Sequence, residues 1–301
     1  MMSPRFFQFF RYLNWRTLQQ TLICAGRQRL SGLAAEMAYN ATLSLFPAIL
    51  TMVTAIGLFA SLRLRLNVLA IELIDLAPPE VQDLIHGFVQ DLGRSRNRSL
   101  FSLSFVVAIW AASGVIGSAM AAFDQIQRTP RRLIRPFWQA RIVAIKLLIG
   151  TLFWVILAVG IIVVSDIVIY ELAIRSGMLG LYLLILWKFL SRPVALVILT
   201  IAVAFLYRYG PSRWNPHTPI LPGAMIAALL WVFISNLFQI YLVHFGDYNR
   251  TYGTIGAVII LLLWLYMSSL VLLLGKQLNV VVGETMRQQV RRSEILPKTF
   301  E

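Results

Sequence analysis

Glu36, Asn40, Ser44, Pro47, Thr51 and Thr54 follow one another at intervals of 4, 4, 3, 4 and 3 residues in a stretch that is otherwise mostly apolar. At about 100° per residue in a helix, all six fall within an arc of about 80°. A carboxylate, an amide and three hydroxyls on one side of an apolar helix could bind a polar group or line a watery path. A carboxylate inside a membrane span costs roughly 2.5 to 3.5 kcal/mol and usually faces a bundle interior or a water-filled cavity. Glu36 lies near the start of the stretch, where headgroups would lower that cost. The stripe as a whole favours an inward polar face.

Similar faces recur further along. Trp110, Ser113, Gly114, Gly117, Ala121 and Asp124 share one side of a second apolar stretch, where small residues let helices approach closely and Asp124 marks the end. Trp231, Ser235, Asn236 and Gln239 form a third set. Trp264, Ser268, Leu272, Gly275 and Asn279 form a fourth, which continues back through Ile260 and Gly256 to Gly253. Asn279 is expected to face water, so that its loss costs activity and not the fold. Arg135 and Arg141, in the setting R-P-F-W-x-x-R, could hold a phosphate at headgroup level or serve as plain topological anchors. The candidate substrate-binding or cavity-lining residues are therefore Glu36, Asn40, Ser44, Pro47, Thr51, Asp124, Arg135, Arg141, Ser268 and Asn279.

No catalytic constellation accompanies them. His86, His217 and His244 lie on separate segments, and the chain has no H-E-x-x-H, paired C-x-x-C, Walker loop or G-x-S-x-G. Cys24 is the only cysteine, so no disulfide framework is possible. The reading is of a protein that is not an enzyme, with no metal site and no cofactor.

The elements that must position these residues follow from composition. The 301 residues are 58% hydrophobic and 13% charged, with a net charge of +14. That balance places the chain among polytopic membrane proteins. With about 20 apolar residues needed to cross the hydrocarbon core, spans are expected near 35–61, 101–123, 142–166, 190–209, 220–244 and 254–282. The fourth is interrupted by Lys188, Arg192 and Pro193, and its first part could be re-entrant or interfacial.

Basic residues stay on the cytoplasmic side. They cluster before the first span, at 124–141, at 208–219 and after Lys276, which places both termini inside. The outside loop at 62–99 balances Arg63, Arg65, Arg94, Arg96 and Arg98 against Glu72, Asp75, Glu80, Asp83 and Asp91. Within it, Val81, Leu84, Ile85 and Phe88 share a helical face after Pro78-Pro79, which reads as short amphipathic helices. Phe6, Phe9, Phe10 and Leu13 share a face at the other end of the chain, as in an interfacial helix on the cytoplasmic leaflet. The organisation expected is a cytoplasmic interfacial N-terminus at 1–33, an all-α six-span domain at 34–283, and a cytoplasmic tail at 284–301. In the last span, Tyr248 and Tyr252 are expected at the outer interface.

Several of these segments resemble one family, the YihY/BrkB proteins of the bacterial inner membrane. The residues that carry the likeness are AAEMAYNATLSLFPAIL (34–50), IWAASGVIGSAMAAFDQI (109–126), RPFWQARIVAI (135–145), YRYGPSRW followed by PGAMIAALLWVF (207–233), and YGTIGAVIILLLWLYMSSLVLLLGKQLN (252–279). The resemblance implies six spans with cytoplasmic termini, a virulence-factor label, and an older ribonuclease label that looks mistaken. Where the family commonly reads G-A-E-[LI]-N, this chain has Gly275, Lys276, Gln277, Leu278 and Asn279. An acidic residue used there by relatives cannot be used here.

The favoured expectation is a transporter or flippase-like protein for an anionic amphiphile or lipid, such as a phospholipid or lipid A precursor. The alternative is a structural envelope scaffold without transport activity, and a membrane-associated ribonuclease has the least support. Membrane lipids, anionic ones included, and copies of the same chain are the partners considered. Nucleic acid is not expected, because no stretch interleaves basic and aromatic residues as a binding module would.

Overall fold

In the computed structural model, the residues described are 9, 11–58, 98–176, 178–213, 219–244 and 246–295. They form α1 (Trp15–Arg27), α2 (Leu30–Leu58), α3 (Arg98–Ile126), a short 3-10 turn (Arg131–Leu133), α4 (Phe137–Ser176), α5 (Met178–Tyr209), α6 (Leu221–His244) and α7 (Gly246–Ile295). No strand occurs among the described residues. Helices dominate because a bilayer offers no partner for a free backbone amide or carbonyl, and an α-helix satisfies both within itself.

Among the described residues, six stretches are long and apolar enough to cross a membrane: Leu30–Thr51, Phe101–Ile126, Phe137–Leu157, Phe189–Tyr209, Leu221–Leu242 and Val258–Gln288. They fall where hydropathy places them, and the interrupted fourth stretch is one helix, α5, which keeps Pro193 inside it. The expected amphipathic helices of the outside loop, Phe6 and Phe10, and the side chains of Tyr248 and Tyr252 lie outside what is described.

Packing separates two compact units. One comprises Met1–Gly32, Ala119–Phe233 and Leu270–Glu301, and the other Leu33–Ser118 and Ile234–Ser269. Within the first, α4 and α5 form an antiparallel pair. Ala144 and Leu147 of α4 are buried, and a Cβ on Gly150 would stand 2.7 Å from the Phe205 ring of α5, so glycine is what lets this pair close up. On the other side of α4, Ile142, Ile149, Phe153 and Ile156 are exposed at spacings that keep them on one face. That face is suited to lipid.

The centre of the first unit is the C-terminal half of α7, where every residue from Gly275 to Gly283 is buried. Phe9 is fully buried against Leu278 and Val282, with Tyr12, Leu13, Ile226 and Met286 around it. This corrects the expectation that Phe9 and Leu13 belong to a lipid-facing surface. The all-apolar face of that end of α7 is a better partner for them than headgroups are.

Within the second unit, Ala34, Met37 and Ala38 of α2 and Ser104, Ala108, Ser113 and Ile116 of α3 are buried. Among the described residues, no atom beyond its own stretch of helix lies within 4 Å of where a Cβ on Gly117 would be.

A buried polar clamp as the candidate functional site

The polar residues of the first unit converge where α3, α5, α6 and α7 meet. Asp124 ends α3 and is buried. Its Oδ1 accepts from the Ser212 amide at 2.8 Å and from the Thr129 hydroxyl at 3.3 Å, and its Oδ2 accepts from the Ser212 hydroxyl at 2.6 Å. A carboxylate at a helix C-terminus opposes the helix dipole. Three donors offset that cost and tie the 124–129 turn to the segment after α5.

Arg135 works on the same segment. Its guanidinium donates to the carbonyls of Gly210 at 2.8 Å, Pro211 at 2.9 Å and Tyr209 at 3.5 Å, while its backbone amide donates to the Ser212 hydroxyl at 3.2 Å. The last carbonyls of a helix have no partner within the helix. Arg135 supplies one from outside, so its donors face the end of α5 and do not point at a headgroup phosphate. Arg141 is half-buried near the start of α4.

Asn279 does for the start of α6 what Arg135 does for the end of α5. Its Oδ1 accepts from the Gly223 amide at 2.9 Å and its Nδ2 donates to the Ile220 carbonyl at 3.0 Å. Gly223 is in the first turn of α6, where amides lack an intrahelical acceptor. With 1% of its surface exposed, Asn279 does not face water as expected. The reason is steric as well as polar. A Cβ on Gly223 would strike the Asn279 carboxamide, and one on Gly275 would come within 2.6 Å of the Ala227 Cβ and the Tyr207 hydroxyl. Two glycines thus let α6 and α7 approach until the amide can reach across.

Lys276 lies one turn away and is 2% exposed. Its Nζ donates to the Tyr207 carbonyl at 3.0 Å and stands 5.6 Å from the Phe123 ring centre and 5.5 Å from that of Tyr207. The Gln127 amide, oriented so that its oxygen meets the ammonium, accepts at 3.0 Å and donates from its nitrogen to the Arg213 carbonyl at 2.9 Å. The two rings meet edge to face. The Tyr207 hydroxyl donates in turn to the Leu272 carbonyl at 2.5 Å. The result is a cation held by two oxygens and two ring faces, an arrangement that stabilises a desolvated ammonium. Lys276 is thus an internal member of the bundle and does not belong with the basic residues of the tail.

Among the other candidates, three donate to a carbonyl of their own helix. In α2, Asn40 donates to the Glu36 carbonyl at 3.1 Å, Ser44 to Ala41 at 2.7 Å and Thr51 to Pro47 at 2.8 Å. Ser44 is buried, Asn40, Pro47 and Thr51 are half-buried, and Glu36 is exposed. Ser268 is half-buried and its neighbour Ser269 takes the buried position. Asp124, Arg135 and Asn279 therefore lie in one unit, where Asp124 and Arg135 meet at Ser212 and Asn279 ties α6 to α7. Sequence reasoning missed Lys276, Gln127, Tyr207, Ser212 and Gly223. Two of them carried a signal: a lysine inside an apolar span, and a glycine directly after Pro222 at a helix start.

The sequence pattern of the family described as virulence factor BrkB matches residues 24–297. The chain belongs to that family. Among its relatives, a ribonuclease-like protein, YfkH of Bacillus subtilis (strain 168), is 28% identical over 249 residues, covering 83% of this chain and 88% of the relative. A UPF0761 membrane protein of Psychromonas ingrahamii is 24% identical over 264 residues, covering 85% and 84%. Another, of Pseudoalteromonas atlantica, is 26% identical over 255 residues, covering 83% and 80%. No solved structure matches. This family is one of membrane proteins, and no catalytic function is evident in it, although one relative carries a ribonuclease-like name.

Proposed function

We propose that this BrkB-family protein is a transport-type protein of the bacterial inner membrane, with both termini cytoplasmic, that moves or scrambles an anionic amphiphile between leaflets. The observation that carries the reading is the α2 stripe. Asn40, Ser44 and Thr51 give a hydrogen to a carbonyl of their own helix. A hydroxyl that donates in this way keeps its lone pairs as acceptors. The two hydroxyls can therefore lie in a membrane without an unsatisfied donor and still accept hydrogen bonds from a polar headgroup moving past. The exposed Glu36 carboxylate stands at one end of it.

Reconstitution into liposomes with headgroup-labelled lipid tests the proposal. Redistribution should exceed that of protein-free vesicles and should fall in Glu36→Gln while the protein accumulates normally. Single cysteines replacing Asn40, Ser44, Pro47 and Thr51 in a Cys24→Ser background should label with a water-soluble thiol reagent in graded fashion. Redistribution no faster than in empty vesicles, with uniform protection of the four cysteines, overturns it. That outcome favours the second reading, an envelope scaffold, which draws on one observation: Asp124, Arg135 and Asn279 are committed to backbone groups of their own protein.

A further inference from the structure

The helix α1 has three sides. Thr17, Thr21 and Ala25 are buried against the protein, and the two hydroxyls are used within the chain, Thr17 donating to the Tyr12 carbonyl at 2.9 Å and Thr21 to that of Thr17 at 2.8 Å. At about 100° per residue, Trp15, Leu18 and Leu22 share an arc of about 60° beside that buried strip, and Arg16, Gln20 and Arg27 lie on the far side. Trp15 is 72% exposed and Leu22 65%. A helix that turns short side chains to its own protein and an indole and two leucines outward leaves its apolar side uncovered by the described residues.

A second surface has the same composition. After α3 ends, Arg128, Arg131 and Arg132 are exposed, and so are Leu133, Ile134, Phe137 and Trp138, the last at 68%. Phe137 and Trp138 open a membrane-crossing stretch and pack edge to face at 5.3 Å. Aromatic rings at a span's end sit at headgroup depth. The arginines in the turn just before them are therefore within reach of lipid phosphates. The two surfaces are joined, since the Gln125 side chain donates to the Gln28 carbonyl at 2.7 Å and so ties the end of α1 to the turn that carries Arg128.

We propose that α1 and residues 128–138 together form a docking surface for the headgroup layer of an anionic leaflet. In it, α1 lies in the membrane plane with Trp15, Leu18 and Leu22 at the acyl boundary, and Arg131 and Arg132 take phospholipid phosphates. The occupant is lipid, and no second protein is needed, because both patches pair bulky apolar groups with cations. That is the pattern of an interfacial helix and not of a protein interface core, which is depleted in charge. The surface is independent of whether the protein moves lipid, so its test does not depend on a transport assay.

The test uses the full chain in nanodiscs. In a Cys24→Ser background, an environment-sensitive probe on Leu22→Cys should be quenched by nitroxides on lipid chains, and the same probe on Gln20→Cys by a water-soluble quencher. With spin-labelled lipids, the wild type should immobilise phosphatidylglycerol in preference to phosphatidylcholine. Arg131→Gln with Arg132→Gln should lower that preference roughly tenfold, in line with the attraction of a basic residue close to an anionic surface. Arg291→Gln with Arg292→Gln removes the same charge and should lower it less. Equal losses in the two pairs, or equal access of both probes to the water-soluble quencher, overturns the proposal.

Discussion

The stripe on α2 and the clamp around Asn279 are made from the same kinds of residue, yet they use them in opposite ways. In α2 the hydroxyl of Ser44 and the amide of Asn40 reach carbonyls three and four residues back in the same helix. In the clamp, Asn279 reaches a backbone amide 56 residues away and Arg135 carbonyls more than 70 residues away. Bonds of the first kind leave a helix no more attached to its neighbours than before. Bonds of the second kind hold helix ends together, and they do so where those ends have unpaired groups to offer. A polar side chain in a span therefore says little about its role until its partner is known.

The sharpest way to break this contrast is to push α6 and α7 apart. Gly275→Leu should cost more than about 3 kcal/mol, or prevent assembly, because the new side chain meets the Gly223 carbonyl and the Tyr207 hydroxyl. A variant that melts in detergent with the wild type would show that the two helices do not need this approach. Asn279→Ala is next. It leaves the Gly223 amide without its acceptor, whereas the Ile220 carbonyl keeps the Ala224 amide. The expected loss is roughly 1 to 3 kcal/mol, read as a lower Tm, and an unchanged Tm with lower activity would return Asn279 to the functional residues.

Lys276→Met tests whether the clamp needs its cation. Asp124 keeps its Ser212 and Thr129 donors, but the Tyr207 carbonyl and the Gln127 oxygen lose the donor that meets them, and removing one buried partner is costlier than replacing a whole pair. The Tm should fall by the equivalent of about 1 kcal/mol. An unchanged Tm would show that the ammonium is not a required cross-link between α5 and α7. The smallest effect belongs to α2, where Thr51→Val removes a bond to the Pro47 carbonyl of its own helix and should cost less than about 0.5 kcal/mol. A larger loss in thermal melts would mean that the stripe is packed like the clamp, and the contrast would disappear.

Much of the architecture was legible before any coordinates. The six spans, the all-helical class and the family could be read because hydropathy and short motifs are properties of neighbouring residues. The polar faces of α2 and α3 were legible as periodicities too. Periodicity did not tell which of them would be used. Trp110 and Ala121, placed on the same face as Ser113 and Asp124, are exposed while those two are buried, because what covers a helix changes along its length. Arg135 looked like a phosphate ligand because its motif is basic and aromatic, and no local rule reveals that the end of α5 lies beside it.

What the sequence by itself determined is whatever the bilayer judges locally: which stretches are long and apolar enough to enter it, and that each must be helical to satisfy its own backbone. What only the tertiary structure decided is where Lys276, Asp124, Arg135 and Asn279 find their partners. Those partners are mostly the unpaired groups of helix ends, present in every helix and silent in any sequence. Which side chain meets them depends on how closely the helices pack, and Gly223 and Gly275 set that distance where α6 meets α7.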